Sequence, residues 1–431
     1  MSENEFSDHS VSSASSVERS HDHHAEYKIN LIMCMDIIGD VHFALDEPVH
    51  MVSYMYDTFK NEGENYTGTI TRAKANFKRE KDDVEEVKSY IIKEDRMTGP
   101  RQGEGFFKIE TYMYESILPK MDLLIYDAQL PSNEKLWCEY IGSRKYHTII
   151  LSDLCAQGFT LPNRREGLND RQAVLTVRNL AKFHAMSKVL IKKGTITKND
   201  FGPRYTCLKE APEVTRQLYQ GGLKQLVRSM RQWPEEWKEV TDRVALQIDV
   251  ILEKLRAIHE EPYDDSFEVL NHGDLWSCNM MFKNDDDGQP EEIRFVDYQV
   301  CHVHSLAWDL IHLLYSSFNS NLRQSIFDKL ITLYHSSLDE YMKVFNCKSP
   351  VPSLAGILRE MDRFAYYSFV VTAINFPLAT THKTKAFNLE RLIKPKKNRR
   401  KSPFSRGIYS MNKVIDTVGE QLKTMVTKGI I

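Results

Sequence analysis

The segment Asn271–Asn279 carries residue types and a spacing that suit the transfer of a phosphoryl group. It reads N-H-G-D-L-W-S-C-N and matches the pattern H-x-D-x-x-x-x-N of kinase catalytic loops. Such a transfer needs an aligned attacking hydroxyl and a metal ion that neutralises the polyphosphate charge. Asp274 can accept the hydroxyl proton, and the amide oxygen of Asn279 can reach a magnesium ion from the same loop. Three fixed positions also recur by chance, so this motif alone only suggests a kinase.

A second acid, Asp297, strengthens that interpretation. It follows the short apolar stretch Ile293–Val296, which lies beyond the turn-forming segment Asn284–Gly288. A carboxylate at the end of a buried strand, close to the loop that carries Asp274, is what a chelated metal ion requires. Asp297 is therefore predicted to bind magnesium next to the phosphates. The alternative is an ordinary acid in a turn after a strand.

Two further residues are predicted to support the catalytic loop. His272 is interpreted as a hydrogen-bonding residue that braces the loop rather than as an acid–base group. Asp309 lies in the apolar segment Ser305–Leu314, and a buried carboxylate is costly unless it accepts several hydrogen bonds. Backbone N–H groups of the catalytic loop could provide them. An ordinary acid at a helix N-terminus, favoured by the helix dipole, is the open alternative.

Upstream residues are candidates for holding the phosphates of ATP. Lys93 lies near the end of a predicted strand and Glu110 on the following predicted helix, in the order expected of a lysine–glutamate pair. Taken singly, each is more often a surface charge. The turn Gly63–Gly68 could cover the phosphates with backbone N–H groups, which adds the candidates Asn65, Tyr66, Thr67 and Gly68. This turn matches neither G-x-G-x-x-G nor a Walker A loop, so its own specificity is weak.

The elements around these residues predict an α+β protein. Residues 1–27 are polar and are expected to form a disordered tail. Residues 28–151 are expected to form a small β-rich N-lobe, and residues 152–431 a large, mainly helical C-lobe, as in a protein-kinase-like two-lobed fold. The predicted N-lobe elements are a short helix at Leu31–Ile38, strands at Val49–Tyr56, Tyr66–Ala75, Glu86–Ile92 and Tyr146–Leu151, and a helix at Gly105–Leu124.

The C-lobe is predicted to be a series of helices interrupted by two short strands. Asp170 is predicted to cap the first helix. The other predicted helices are Leu223–Met230, Trp237–His259, Leu322–Phe345, Leu354–Ile374 and Tyr409–Lys428. The strands Phe267–Asn271 and Ile293–Asp297 each deliver an acidic residue at or just after their end.

Composition and charge exclude several function classes. Hydrophobic residues make up 42% and charged residues 27%, the balance of a globular protein, and the formal charge of −3 gives no general attraction to nucleic acid or anionic membranes. No apolar run reaches the roughly 18 residues that a membrane span needs. The seven dispersed cysteines and the absence of a basic-then-apolar signal pattern lead us to expect a cytoplasmic protein. The oligomeric state cannot be inferred.

Together these motifs resemble the ecdysteroid kinase-like, or choline-kinase-like (CHK), kinases of insects, from about Val49 to Phe376. The resemblance implies a kinase-like fold, ATP and Mg²⁺ as cofactors, and phosphorylation of a hydroxyl on a small molecule such as an ecdysteroid or a hydroxylated xenobiotic. The matching segments are Gly63–Tyr66, Phe107–Glu110, Leu151–Leu154, Leu180–Ser187, His272–Trp276 with Asn279, Asp297–Gln299 and Asp309–Leu310.

Site roles follow from this resemblance position by position. Lys93 and Glu110 become the pair that anchors the phosphates. The strand Thr148–Ser152 becomes the hinge that receives adenine through backbone groups, which adds Ile150 and Ser152 to the nucleotide site. Asp274 becomes the base, and Asn279 and Asp297 become the magnesium ligands.

The sequence departs from the family pattern at three places. Gly68 replaces a small hydroxyl residue, Tyr298 replaces a commoner phenylalanine, and Glu94-Asp95 follows Lys93 where many relatives have a proline nearby. None of these changes removes an essential group.

Two other hypotheses remain open. The chain could be a catalytically weak nucleotide-binding regulatory module, that is, a pseudokinase, which Gly68 and the basic run at residues 394–401 motivate. That run could be a nuclear-import signal, an anionic-surface patch or a solvated loop. A choline- or aminoglycoside-type kinase would instead need an aromatic cage or an acidic groove for its cationic substrate.

Overall fold

A computed structural model describes residues 32–40, 49–59, 68–79, 85–95, 104–144, 147–202, 213–318, 320–380, 404, 407–409 and 412–431 of the chain. The predictions for the tail at residues 1–27, for Asn65, Tyr66 and Thr67, and for the basic run at residues 394–401 lie outside the described residues.

The N-terminal part is built on a five-stranded antiparallel sheet with the order β1-β2-β3-β5-β4. Its strands are β1 (Val49–Phe59), β2 (Gly68–Arg79), β3 (Glu85–Asp95), β4 (Tyr140–Arg144) and β5 (Thr148–Ser152). Side chains alternate along β2, so that Ala73, Ala75 and Phe77 are buried together. Helix α1 (residues 32–40) adds Cys34, Met35 and Ile38 to this small core. The predicted helix and strands are confirmed, and β4 is an additional strand.

A long helical segment follows β3. It consists of α2 (Glu104–Tyr112), a π-helical turn (Met113–Ile117) and α3 (Leu118–Asp127). The predicted helix at Gly105–Leu124 is therefore confirmed, although helical spacing gave no sign of the π turn. Met113, Ile117 and Met121 are buried in the core that the C-terminal helices form. The segment thus joins the sheet to the helical part and turns Glu110 toward β3.

Helix α4 (Asp170–Lys192) is the central helix of the C-terminal part and is buried along most of its length. The prediction that Asp170 caps this helix is wrong. Asn169 is the cap: its side chain accepts from the N–H of Gln172 at 2.9 Å, and the Gln172 side chain accepts from the N–H of Asn169 at 3.1 Å. Asn169 has the extended backbone that lets a cap side chain reach back, whereas Asp170 is already helical.

The remaining helices surround α4. They are α5 (Lys198–Phe201), α6 (Glu213–Met230), α7 (Lys238–Leu246), α8 (Ile251–Glu260), α9 (Ala307–Ser316), α10 (Ser320–Val344), α11 (Leu354–Arg363), α12 (Ala365–Val370), α13 (Phe376–Thr380) and α14 (Asn412–Thr427). A π turn (Val371–Asn375) joins α12 to α13. No helix within the described residues is long and apolar enough to cross a membrane.

Two predicted helices are each divided in the structure. The one predicted at Trp237–His259 separates into α7 and α8 at Gln247, whose N–H bonds to the carbonyl oxygen of Val244 three residues back, at 3.0 Å, rather than to that of Arg243 four residues back. The one predicted at Leu354–Ile374 breaks at Phe364 between α11 and α12.

Two small antiparallel sheets bracket the segment Asn271–Asn279. Strand β6 (Glu268–Asn271) pairs with β9 (His302–Ser305), and β7 (Met280–Asn284) pairs with β8 (Pro290–Phe295). The two predicted strands are confirmed, except that Asp297 lies after β8 rather than within it. The predicted fold class is also confirmed: an α+β, protein-kinase-like arrangement of a β-rich N-terminal part and a larger, mainly helical C-terminal part. The exact domain limits stay a prediction.

Candidate active site

Three charged groups from distant segments meet between the sheet and the helical part. Lys93 lies on β3 between Ile70 of β2 and Ile149 of β5, so its register is held from both sides. Its Nζ lies 2.6 Å from Oε2 of Glu110 on α2 and also forms a short ion pair with Oδ1 of Asp297. Lys93 and Glu110 are buried, and Asp297 is partly accessible. The sequence-predicted lysine–glutamate pair and the predicted metal ligand therefore form one cluster.

This cluster contains one cation and two carboxylates, so negative charge is in excess when all three groups are ionised. Burial alone would lower the pKa of Lys93, but Asp297 and Glu110 hold it above its ordinary value, so Lys93 stays charged. Burial raises the pKa of Glu110 to about 7, although Lys93 opposes that effect. Glu110 is thus easier to protonate than an ordinary glutamate.

Asp309 holds the start of the catalytic loop. Its Oδ2 accepts from the N–H of His272 at 2.6 Å, and its Oδ1 accepts from the N–H of Gly273 at 2.8 Å. His184 on α4 lies 3.2 Å from the same carboxylate. Burial alone would raise the pKa of Asp309, but the hydrogen bond with His184, the nearby imidazole of His272 and the N–H of Gly273 lower it to about 2. The carboxylate also lies in the first turn of α9, so loop bracing and the helix dipole act together.

Gly273 and His272 set the path of the loop. Gly273 has φ +83°, and a Cβ there would lie 2.4 Å from the carbonyl oxygen of Val300, so only glycine fits. The Nε2 of His272 lies 3.1 Å from the carbonyl oxygen of Val296, directly before Asp297. Burial lowers the pKa of His272, which keeps the ring neutral. This histidine therefore ties the catalytic loop to the segment that carries Asp297.

Asp274 and Asn279 are linked across the loop. The Nδ2 of Asn279 donates to the carbonyl oxygen of Asp274 at 2.9 Å and to its Oδ2 at 3.1 Å. The Asp274 side chain is 27% exposed, so a substrate hydroxyl can reach it. Because the amide nitrogen of Asn279 is engaged, its amide oxygen is left as a ligand group, and no described residue donates to it.

Asp297 is placed in a strained backbone conformation. Its φ is 70°, in the left-handed region that aspartate tolerates better than most residues and that is enriched at functional sites. Gln299 donates from Nε2 to Oδ2 of Asp297 at 3.1 Å, while its Oε1 is buried with no hydrogen-bond partner in the described part of the chain.

Hard oxygen ligands are therefore available for a divalent cation. The carboxylate of Asp297 and the amide oxygens of Asn279 and Gln299 are the ligand type that Mg²⁺ and Ca²⁺ prefer. Among the residues that the structure describes, no group of three or more His, Cys, Asp or Glu side chains is arranged to hold a metal ion. A cation here would accordingly depend on amide oxygens, water and phosphate as well as on Asp297.

His312 is a site residue that sequence reasoning missed. It lies on α9 one turn after Asp309, is almost completely buried, and its Nε2 lies 3.4 Å from Oδ1 of Asp274. Its Nδ1 is 2.7 Å from the hydroxyl of Tyr367 on α12. The three-residue spacing from Asp309 was the available signal, since residues at i and i+3 share a helix face.

The predicted hinge strand is present as β5, but its residues differ in what they can contact. Ile150 lies between Ile92 of β3 and Gly142 of β4 and is buried in the core of the sheet, so the structure does not bring it to the site. The N–H of Ser152 donates to the carbonyl oxygen of Glu139 at 2.9 Å. Gly68 begins β2 opposite Asp95. Main-chain groups free for a nucleotide base are therefore expected after β5.

Asp153, which was not among the predicted site residues, stabilises that hinge. It accepts from Nε of Arg72 at 2.6 Å, from Oγ of Ser89 at 2.8 Å and from the N–H of Cys155 at 3.0 Å. These bonds tie the end of β5 to β2 and β3 and cap the short 3₁₀-helix Leu154–Gln157.

The paired lysine and glutamate, the loop with its aspartate and asparagine, and the acid after β8 define a protein of the kinase-like class. The model of the ecdysteroid kinase-like family matches residues 62–347, about two thirds of the chain. The chain belongs to the ecdysteroid kinase-like family. A solved structure, amicoumacin kinase hAmiN in complex with AMP-PNP, Ca²⁺ and Ami, is similar at 14% identity and a TM-score of 0.35, over 93% of this chain and 99% of that chain. No curated protein matches the chain in sequence.

Proposed function

We propose that this protein is an ATP- and Mg²⁺-dependent kinase that phosphorylates a hydroxyl group of a small molecule. The observation that carries the proposal is the meeting of Lys93, Glu110 and Asp297 beside the loop that presents Asp274. Four separate segments supply these groups, and each group is one that phosphoryl transfer uses. The family match supports a small molecule as the substrate, and the acceptor proposed here is a hydroxylated one, such as an ecdysteroid or a hydroxylated xenobiotic.

Each residue then has a defined task. Asp274 orients the acceptor hydroxyl and takes its proton as the oxygen bonds to the γ-phosphorus and the bond to ADP breaks. Lys93, kept charged and aligned by Glu110, binds phosphate oxygens. Asn279 and Asp297, with Gln299, would hold the magnesium ion, which supplies positive charge against the phosphates when bound.

The same geometry argues against the non-catalytic alternative. A pseudokinase loses its base, its metal ligands or its phosphate lysine, whereas all of these groups are retained and engaged in hydrogen bonds or ion pairs here. Gly68, which motivated that alternative, begins a regular strand opposite Asp95.

A cation-binding acceptor site of the choline type has weaker support. Trp308 and Phe318 are fully buried in the core, and the ring of Tyr315 is already covered by the guanidinium of Arg323 at 4.3 Å. An aromatic cage needs ring faces that are open to the ligand.

A mass-spectrometric phosphotransfer assay tests the proposal. The full chain is incubated with Mg-ATP and a panel of ecdysteroids, plant phenols, choline and aminoglycosides, with the Asp274→Asn variant as the control. We expect a product heavier by one phosphate group with a hydroxylated acceptor and none with the variant. Equal product from both proteins would contradict the role of Asp274. Failure of the wild-type protein to bind Mg-ATP would contradict the kinase proposal.

A further inference from the structure

Arg323 is a buried cation that has no counter-charge among the described residues. It lies in the first turn of α10 and is only 5% exposed. Its Nη1 has no hydrogen-bond partner, and no described residue forms an ion pair with its guanidinium. Burial lowers the pKa of Arg323, but a guanidinium does not lose its proton in a protein, so the positive charge remains.

The contacts that Arg323 does make are too weak to offset this burial. Its guanidinium lies 4.3 Å from the centre of the Tyr315 ring, a cation–π contact worth at most about 2 kcal/mol. Removing an ion from water costs several times that amount unless it is paired. The N-terminus of α10 adds a partial positive charge, which is unfavourable for a cation and favourable for an anion.

Two other poorly exposed arginines in the described part of the chain are paired. Arg294 is 8% exposed, and its Nη2 lies 2.9 Å from Oε2 of Glu292. The Nη2 of Arg363 lies 2.7 Å from Oε1 of Glu360. Arg323 thus differs from these two arginines in having no anionic partner among the described residues. The difference points to an anion that comes from outside the described residues.

Helix α9 connects Arg323 to the proposed catalytic groups. His312 lies 3.4 Å from Asp274, and Tyr315 lies on the same helix three residues later, roughly 5 Å further along its axis. The guanidinium packs on the ring of Tyr315. Asp274 and Arg323 are therefore connected through two residues of α9 that lie about one turn apart.

We propose that Arg323, the ring of Tyr315 and the first turn of α10 form a binding site for a carboxylate or sulfate group of the acceptor. The assignment of that anion to the acceptor rests on the proposed kinase function. The planar guanidinium suits such groups because it can donate two parallel hydrogen bonds. The acceptor class is accordingly a small molecule that carries a hydroxyl at one end and an anionic group at the other.

The anion site is tested first without any phosphotransfer. Thermal unfolding of the full chain is followed with millimolar sodium sulfate against sodium chloride of equal ionic strength, for the wild type and Arg323→Met. Two controls are Arg359→Met, which removes an exposed arginine on α11, and Lys93→Met, which removes the proposed nucleotide-phosphate contact. We expect sulfate to stabilise the wild type and both controls and to leave Arg323→Met unchanged.

The unfolding temperature without sulfate is a second readout, which distinguishes loss of the anion site from poor folding of the variant. Because methionine replaces an uncompensated charge with an apolar chain of similar length, Arg323→Met should unfold at a higher temperature than the wild type without sulfate. Arg323→Lys should keep a weakened response to sulfate. An equal sulfate response in the wild type and Arg323→Met would overturn the site, as would a large loss of stability in Arg323→Met.

The acceptor class is tested with a matched pair of alcohols, hydroxymethylbenzoate and hydroxymethylbenzamide. We expect kcat/KM to favour the carboxylate by about 10-fold, the effect of one charge-assisted hydrogen bond, and Arg323→Met to abolish that preference. Equal use of both alcohols by the wild type would overturn the acceptor role. If sulfate binding depends on Arg323 but neither alcohol is phosphorylated, the anion site stands and the result counts against the kinase proposal.

Discussion

The imidazole of His312 lies 3.4 Å, from Nε2 to Oδ1, from the carboxylate of Asp274, the proposed base. The hydroxyl of Tyr367, 2.7 Å from Nδ1, can donate to that nitrogen and so leave the ring hydrogen on Nε2, facing Asp274. We therefore expect His312 to be a positioning residue whose imidazole acts on one oxygen of the base at ion-pair distance, while Asn279 donates a hydrogen bond to the other.

We expect His312→Phe to lower kcat for phosphotransfer about 10-fold, because a small misplacement of a catalytic group is costly. The KM for ATP should stay unchanged, since His312 lies beside the proposed base and not beside Lys93 or Glu110. His312→Gln, whose side-chain N–H can replace the Nε2–H, should recover part of the loss. Steady-state kinetics on the three proteins decide the point, and a change confined to the KM for ATP would contradict this role.

Gly273→Ala should disrupt the catalytic loop. A Cβ there would lie 2.4 Å from the carbonyl oxygen of Val300, so the loop must move in addition to adopting an unfavourable φ. Gly288 is a matched control, because its φ of +75° is similar and nothing lies within 4 Å of its Cβ position. Gly288→Ala should cost about 1 kcal/mol in free energy of unfolding.

Gly273→Ala should cost at least twice as much and should also abolish phosphotransfer. Denaturant unfolding and the kinase assay on both variants measure these effects. If both variants lost the same amount of stability and activity, the close approach of Val300 would not be what excludes a side chain at position 273.

Asp309 should make stability depend on pH in the acid range. Its pKa is about 2 in the folded protein, below the ordinary value of 3.8. The unfolded chain therefore takes up a proton first as the pH falls, so the stabilisation is complete above about pH 4 and is lost between about pH 4 and pH 2. A shift of this size corresponds to about 2 kcal/mol.

Asp309→Asn removes this charge and leaves one loop N–H facing an amide nitrogen. We expect it to lower the free energy of unfolding by about 3 kcal/mol at pH 7, as for other broken buried charge networks. The difference in free energy of unfolding between the variant and the wild type should become smaller as the pH falls from 4 to 2. A gap that stays constant with pH would show that the Asp309 charge does not stabilise the loop.

Asp297→Asn should separate the metal-binding role of Asp297 from its structural role. Asparagine tolerates the left-handed φ of 70° as well as aspartate does, so the fold should be retained. Losing the carboxylate should reduce phosphotransfer on the order of 100-fold and raise the Mg²⁺ concentration needed for half-maximal activity. Asp339→Asn, which changes an exposed acid on α10, is the control. An unchanged Mg²⁺ requirement would exclude Asp297 as a ligand.

The local elements were predictable because their signals are local. Alternation along β2 and helical spacing from Glu110 to Met121 each predicted one element, and the structure confirms both. The cap of α4 was assigned one residue too late, since Asn169 and Asp170 both have capping side chains and only backbone geometry separates them. The split between α7 and α8 was not predicted because helical spacing does not show where the backbone bonding changes, as it does at Gln247.

The chemical groups of the site were also predictable, but their supporting contacts were not. Lys93, Glu110, Asp274, Asn279 and Asp297 are recognisable from type, order and spacing. His312 and Asp153 have ordinary residue types in a helix and after a strand, and their importance comes from partners that lie far away in sequence. Ile150 was assigned to the nucleotide site by position, and the structure shows that its strand is paired on both sides.

The amino-acid sequence by itself determined the class of chemistry, because phosphoryl transfer demands particular side chains and short motifs carry them. Tertiary structure decided which charges meet. Lys93 and Asp297 are far apart along the chain, yet they share one ion pair, since β3 and the segment after β8 converge there. It also decided which charge has no partner within the described ranges, since the pairing of Arg323 depends on what packs around α10. Pairing and burial set the energy of an ionised group, and both depend on the three-dimensional environment.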